Sequence, residues 1–450
     1  MSWKLIYSLD LIAILSFLLS YYFRCYRKGY RIDIWHSQVF LTCILPNCLM
    51  LPFTRSSLNI IVLGRDLGAV VEVVPTVFLI TLFGYFAVML GGELWTLRAG
   101  IGVRRLAANI LDVGPACSRM LMASRNFLLL QSMLCLFLQA LLLAFYFSQN
   151  GFGFDLRQYT LAHPELRPIA LLISTYSVVV ASHCVARYYD TRERVLLTCA
   201  LAITFGLLFF GARSNILTIY INIFLCYLIL RRAKIGLFRL AIVISVILLF
   251  GLYMGSVRAG EYSLMQFFEV VVALLFYGNT FSDLRDFSWV YSHWDHVFWG
   301  GKTYLAAIGS FVPRFASEFR DTWGLGVVTA TTVGLDPRVH PGLRPGVFGE
   351  GYFNFGWFGV AAIGIALGII YKRVDIEVKS YLSAPVPSMM GAFASTMLIG
   401  VAGALAITAG FSGLYILTLI YVFSWVCLQV LHLVAPRQFA STQAMRQISR

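Results

Sequence analysis

Charge is scarce in this chain. Lys, Arg, Asp and Glu make up 12% of its 450 residues, about half the share of a soluble domain, whereas 59% are hydrophobic and mean hydropathy is +0.78. That scarcity excludes a soluble globular protein. Cysteine is equally uninformative as a scaffold. The nine cysteines lie in apolar runs or in loops assigned below to the cytoplasm, and none falls in the longest polar region. Neither a disulfide framework nor a zinc site is indicated. P-loops, nucleophile elbows and Rossmann glycine fingerprints are all missing. So are internal repeats of the inverted kind common in transporters.

What the sequence has instead is long apolar runs. About eleven reach spanning length, at 5–23, 34–53, 68–91, 126–149, 168–186, 195–210, 216–230, 240–257, 352–371, 386–408 and 412–434. The first is too long for a signal-peptide core and lacks a small-residue cleavage pattern, so it reads as a retained helix. The fold class is therefore an all-α polytopic membrane protein. It comprises helices over 1–257, a long outer loop with short amphipathic helices over 258–351, and further helices with a tail over 352–450.

Alternate connections are basic: "RCYRKGYR", the 92–125 loop, "ARYYDTRER", "RRAKIGLFR", "YKRVDIEVK" and the C-terminal tail. They hold 22 of the 35 Lys and Arg residues. The positive-inside bias then puts the N-terminus outside and the C-terminus in the cytoplasm. The net charge of +14 is accounted for by these short loops, which removes the case for a nucleic-acid partner.

The basic residues left on the outer side or within spans are nearly all arginine: Arg55, Arg65, Arg157, Arg167, Arg213, Arg258, Arg285, Arg314, Arg320, Arg338 and Arg344. A guanidinium keeps its charge and presents a planar fork to phosphate or carboxylate, so the bias points to an anion site. Ordinary ion pairing with outer carboxylates is the alternative for any one of them. In "GARSN", Arg213 sits at a predicted bilayer boundary between two spans. There it is either a functional cation or one snorkelling to headgroups, with Ser214 and Asn215 available to cap the next helix.

The long outer loop carries "FSDLRDF", an aromatic stretch "WVYSHWDHVFWGGKTY", "FVPRF", "EFRD" and "GEGYFNFGWFG". The aromatics suit a headgroup interface or the faces of sugar rings. Glu350 and Asn354 share a face if their segment is helical. Tyr352 and Trp357 double as interfacial anchors. "HWDH" lacks further ligands at metal spacing, and the first outer loop lacks paired carboxylates for a divalent ion. Metal-independent chemistry without a cofactor is expected.

Taken in order, "NGFGFDLRQY", "GARSN", "FSDLRDF", "GGKTYL", "FVPRF" and "GEGYFNFGWFG" resemble the Wzy-type oligosaccharide repeat-unit polymerases of O-antigen, enterobacterial common antigen and exopolysaccharide synthesis. The resemblance covers about residues 150–360, and the N-terminal third matches in hydropathy alone. It implies a GT-C-like architecture of the polymerase and ligase type. It also implies transfer of a glycan from polyprenyl pyrophosphate onto a lipid-linked repeat unit, at the periplasmic face of the bacterial inner membrane. The expected partners are undecaprenyl-pyrophosphate-linked oligosaccharides, the bilayer and a chain-length regulator.

By motif match Arg213, Arg314 and Glu350 carry over best, then Tyr352 and Asn354, with Arg157 and Arg258 weaker; Arg320 and Arg344 join them as substrate-binding candidates. The acceptor hydroxyl needs a base, for which Glu350, Asp286 and His340 are candidates. An O-antigen ligase, delivering the glycan to lipid A–core, would use the same arginines. A lipid-linked oligosaccharide flippase would instead line both halves of the membrane interior with charge, which the sequence does not.

Overall fold

A computed structural model describes residues 2–28, 33–61, 67–94, 109–122, 124–152, 156–163, 165–210, 213–230, 281–312, 316–337, 340, 342–383 and 389–434, with isolated residues at 242, 245 and 246. Its helices are α1 (Trp3–Lys28), α2 (Ile34–Val39), α3 (Leu51–Ile61), α4 (Leu67–Leu94), α5 (Val113–Leu121), α6 (Arg125–Asn150), α7 (Leu156–Ala162), α8 (Arg167–Thr191), α9 (Arg194–Phe209) and α10 (Arg213–Leu230). They continue with α11 (Asp283–His293), α12 (Lys302–Ile308), α13 (Glu318–Trp323), α14 (Leu325–Thr332), α15 (Gly346–Leu382), α16 (Met389–Leu405) and α17 (Phe411–Val434). No strand occurs among the described residues.

Among the described residues, six helices are long and apolar enough to cross a membrane, or seven if a bent pair counts as one span. The chain is thus an all-helical, multi-pass membrane protein. Large apolar side chains turned outward in mid-helix fit that setting, such as Phe137 and Leu141 on α6, 61% and 60% exposed. Helices fall in ten of the eleven expected runs; those at 194–209, 216–227 and 391–405 fall short of spanning length, and 240–257 lies outside the described residues apart from positions 242, 245 and 246.

The expected span 34–53 is not straight. After α2 the chain runs as a π-helix over Phe40–Leu49 around Pro46, and meets α3 at a bend of 56°. Proline cannot donate to the carbonyl a turn back, and widening to i+5 bonds absorbs the misfit.

The chain divides into two units. One contains Met1–Ala107, Arg231–Ser383 and Ala402–Ser412; the other contains Ala108–Leu230, Ala384–Val401 and Gly413–Arg450. In the first, α4 and α15 cross at backbone contact. Ala87 lies against Gly364, and a Cβ on Gly368 would fall on the Val88 carbonyl oxygen. Small residues four apart permit this approach, which dispersion then stabilises in the absence of a hydrophobic drive between helices. Because the opposing atoms are backbone, Gly368→Ala should destabilise the fold by about 1–3 kcal/mol. A lowered thermal midpoint in detergent checks this, and an unchanged one refutes it.

Polar contacts at helix ends join connections that charge alternation put on one side. In the first unit Arg24 pairs with Glu93 at 2.5 Å and Lys379 with Asp33 at 3.2 Å, all in connections assigned inward. Ser57, Arg285 and Glu350, assigned outward, and Thr408, the last residue of an expected span, meet one another in two groups. In the second unit Arg125 pairs with Glu193, and Arg187 donates to the Met122 carbonyl at 2.6 Å.

Candidate functional site

Helix α15 is broken. Phe355 and Gly356 leave helical geometry, with Gly356 at φ +61° and the Phe298 ring 3.1 Å from where a Cβ would stand. The break frees the carbonyls of Phe353 and Asn354 from partners in the next turn. The backbone N–H groups of Trp299 and Gly300 take them, at 2.9 and 3.2 Å. The Asn354 side chain adds a third tie, accepting from Gly301 N–H at 2.9 Å. Gly301 has φ +82° and the Phe355 ring against it, so a side chain there would be excluded twice.

"GGKTYL" is thereby laid on "GEGYFNFG". The Thr303 hydroxyl donates to Glu350 Oε1 and the Thr408 hydroxyl to Oε2, both at 2.8 Å, while Asn354 Nδ2 donates to Thr303 Oγ1 at 2.8 Å. Glu350 and Asn354 do share a helix face, and both are buried. Tyr304 Oη is buried close by, with no hydrogen-bond partner among the described residues.

"FSDLRDF" forms the first turn of α11 and packs along the start of α15, with Asp283 beside Gly346 and Phe287 beside Gly349. Within it Arg285 and Asp286 form a buried ion pair at 2.8 Å. Asp286 Oδ2 also accepts from the Ser282 hydroxyl at 2.8 Å and from the Arg344 backbone N–H at 3.1 Å, and Arg285 reaches Ser57 Oγ at 3.3 Å. This is the saturation that a buried pair needs to offset its desolvation.

Asp283 differs. It is half-buried, and no hydrogen bond to its carboxylate is drawn among the described residues. Burial, reinforced by the negative charge of Asp286, pushes its carboxyl up to about 7, with Arg344 pulling the other way. A carboxyl raised on folding favours the protonated form. Its stabilising contribution is therefore complete below the unfolded value near 4 and lost as pH rises through about 7. Allowing for the half-exposed side chain, Asp283 should account for on the order of 2 kcal/mol of stability lost between pH 4 and 7. In Asp283→Asn, thermal midpoints measured across that range should lack this component; an identical pH profile in the variant contradicts it.

An aromatic wall rises beside these carboxylates. Tyr352 contacts Tyr291 and Trp294, each at 5.9 Å, and Trp357 at 5.7 Å, and Phe298 lies 5.4 Å from Trp294. Tyr352 and Tyr291 are half-buried and Phe298 is exposed, so part of the wall faces outward. Such surfaces stack on the apolar faces of sugar rings as readily as on each other.

The remaining expected residues scatter. His340 is half-buried, and its Nδ1 accepts the Gly342 N–H at 3.1 Å, which leaves the proton of a neutral ring on Nε2. Arg320 donates to the Val312 carbonyl, whereas the Arg344 side chain is exposed. Arg213 is the first residue of α10, so Ser214 and Asn215 fall inside the helix rather than capping it; Arg157 lies on α7. The side chains of both, and Arg258, Arg314 and Arg338 altogether, lie outside the described residues. Arg157 and Arg213 belong to the second unit, the carboxylates to the first.

Sequence reading missed Asp283, Thr303 and Thr408. A first-turn Asp passes for a dipole partner, and a lone Thr carries no signal until its partner is placed.

No family model, curated protein or solved structure matches this chain.

Proposed function

We propose that the protein is a lipid-linked oligosaccharide repeat-unit polymerase of the Wzy type, acting on the periplasmic side of the inner membrane without a metal. One observation carries the reading. Three segments that underlie the resemblance, "FSDLRDF", "GGKTYL" and "GEGYFNFG", fold onto one another at one end of one unit, around buried carboxylates and an aromatic wall.

In this reaction an acceptor sugar hydroxyl attacks the anomeric carbon of the donor chain. The new glycosidic C–O bond forms as the bond to pyrophosphate breaks, and polyprenyl pyrophosphate departs with the electron pair. Asp283 is the base that accepts the hydroxyl proton. Of Asp283, Asp286 and Glu350, it is the one with no drawn hydrogen bond among the described residues, and burial raises its carboxyl to about 7, as it does that of Glu350. Glu350 and Asp286 each meet two or more donors in buried surroundings, so they hold the site's shape. Arg344, in the same unit as the carboxylates, offers its guanidinium to the developing pyrophosphate charge; Arg213 and Arg314 stand as binding candidates from the resemblance alone. The aromatic wall receives sugar.

The test replaces the native gene with Arg213→Ala and Arg213→Lys variants and resolves the surface glycan on a gel. The reading predicts loss of long chains with single repeats retained and the protein still inserted. A glycan that fails to reach lipid A–core while long chains persist on polyprenyl lipid would indicate a ligase instead.

A further inference from the structure

Helix α12 and the 3₁₀ turn Gly309–Phe311 present two unlike faces. Inward lie Thr303 and Ala306, 1% and 2% exposed; outward lie Leu305, Ile308 and Phe311, at 57%, 51% and 67%. Lys302 is drawn aside, its ammonium 4.0 Å over the Trp323 ring. A short segment that leaves three large apolar side chains more than half exposed calls for a non-aqueous neighbour.

The fold indicates which one. Tyr304 stacks on Phe355 at 6.4 Å with an interplanar angle of 5°, and Phe355 stands where α15 resumes as a membrane-spanning helix. Phe355, Trp357 and Phe358 are 47%, 47% and 77% exposed. The apolar face of α12 is therefore continuous with the lipid-facing side of a span. We propose that residues 302–311 lie in the bilayer boundary as an interfacial element, with Leu305, Ile308 and Phe311 among the acyl chains. The occupant of this face is the bilayer that the protein already spans. Because Thr303 on the opposite face holds Glu350, the headgroup level is set beside the carboxylate network, whatever reaction takes place there.

Spin labels at Leu305→Cys and, separately, Ile308→Cys test this in proteoliposomes. The background carries Cys25→Ser and Cys427→Ser, since the other cysteines are buried. Collision rates with oxygen and with a neutral nickel chelate are compared with two references. One is Leu141→Cys on the outward face of α6; the other is Glu165→Cys, whose side chain is 62% exposed in a connection assigned outward. The oxygen-to-nickel ratio at 305 and 308 should exceed that at 165 several-fold and approach that at 141. A ratio matching 165 at either position overturns the proposal. Should one variant fail to elute as the parent does, the other position decides alone.

Discussion

On the polymerase reading, Asp283→Asn should reduce polymerisation by about 10²–10⁴-fold while the protein remains folded and inserted, because the amide cannot accept the acceptor hydroxyl's proton. Residual turnover should lose the rise with pH expected of the parent as this carboxyl, raised to about 7, ionises. Glu350→Gln is the informative companion. Its amide can still accept one threonine hydroxyl and donate to the other, so the ties to Thr303 and Thr408 persist and activity should fall far less. Rates measured on purified variants from pH 5 to 9 separate the two. An inactive Glu350→Gln beside an active Asp283→Asn would move the base to Glu350.

Arg285→Ala should bring the largest loss of stability, about 3–5 kcal/mol, by leaving Asp286 buried without its partner. Both side chains of the pair are about 5% exposed or less, so water cannot replace the guanidinium without opening the packing of α11 against α4 and α15. The double variant Arg285→Ala/Asp286→Ala should lose less than the two single changes summed, since it removes the stranded charge as well. Thermal midpoints in detergent provide the comparison. Additive losses would mean that the pair is electrostatically inert.

Much of the frame was legible in sequence because a bilayer constrains it so tightly. Backbone groups must satisfy one another within each span, so an apolar run of the right length is already a helix. The polar contacts join connections that arginine and lysine had sorted to one side. Finer features were hidden for particular reasons. The bend after Leu49 depends on how a π-helix absorbs Pro46, which hydropathy does not register. The α4–α15 crossing rests on Gly364 and Gly368 meeting the backbone near Ala87 and Val88, hundreds of residues away.

At the site, Glu350 and Asn354 could be placed on one face from their spacing alone, but the hydroxyls that hold Glu350 arrive from positions 303 and 408. Asp286 stood among the candidate bases by sequence, yet its ion pair with Arg285 occupies it, while Asp283, three residues earlier and with no drawn hydrogen bond among the described residues, was passed over. Local sequence shows which charges are present; tertiary contacts decide which one is left available.

The most direct test is reconstitution. The purified protein in proteoliposomes is given polyprenyl-pyrophosphate-linked repeat units in the presence of a metal chelator, and the lipid-linked products are resolved on a gel. The polymerase reading predicts a ladder growing one repeat at a time on polyprenyl lipid, with one polyprenyl pyrophosphate released per bond formed. Folded protein that moves the units across the bilayer, or leaves them at single-repeat length, would contradict it.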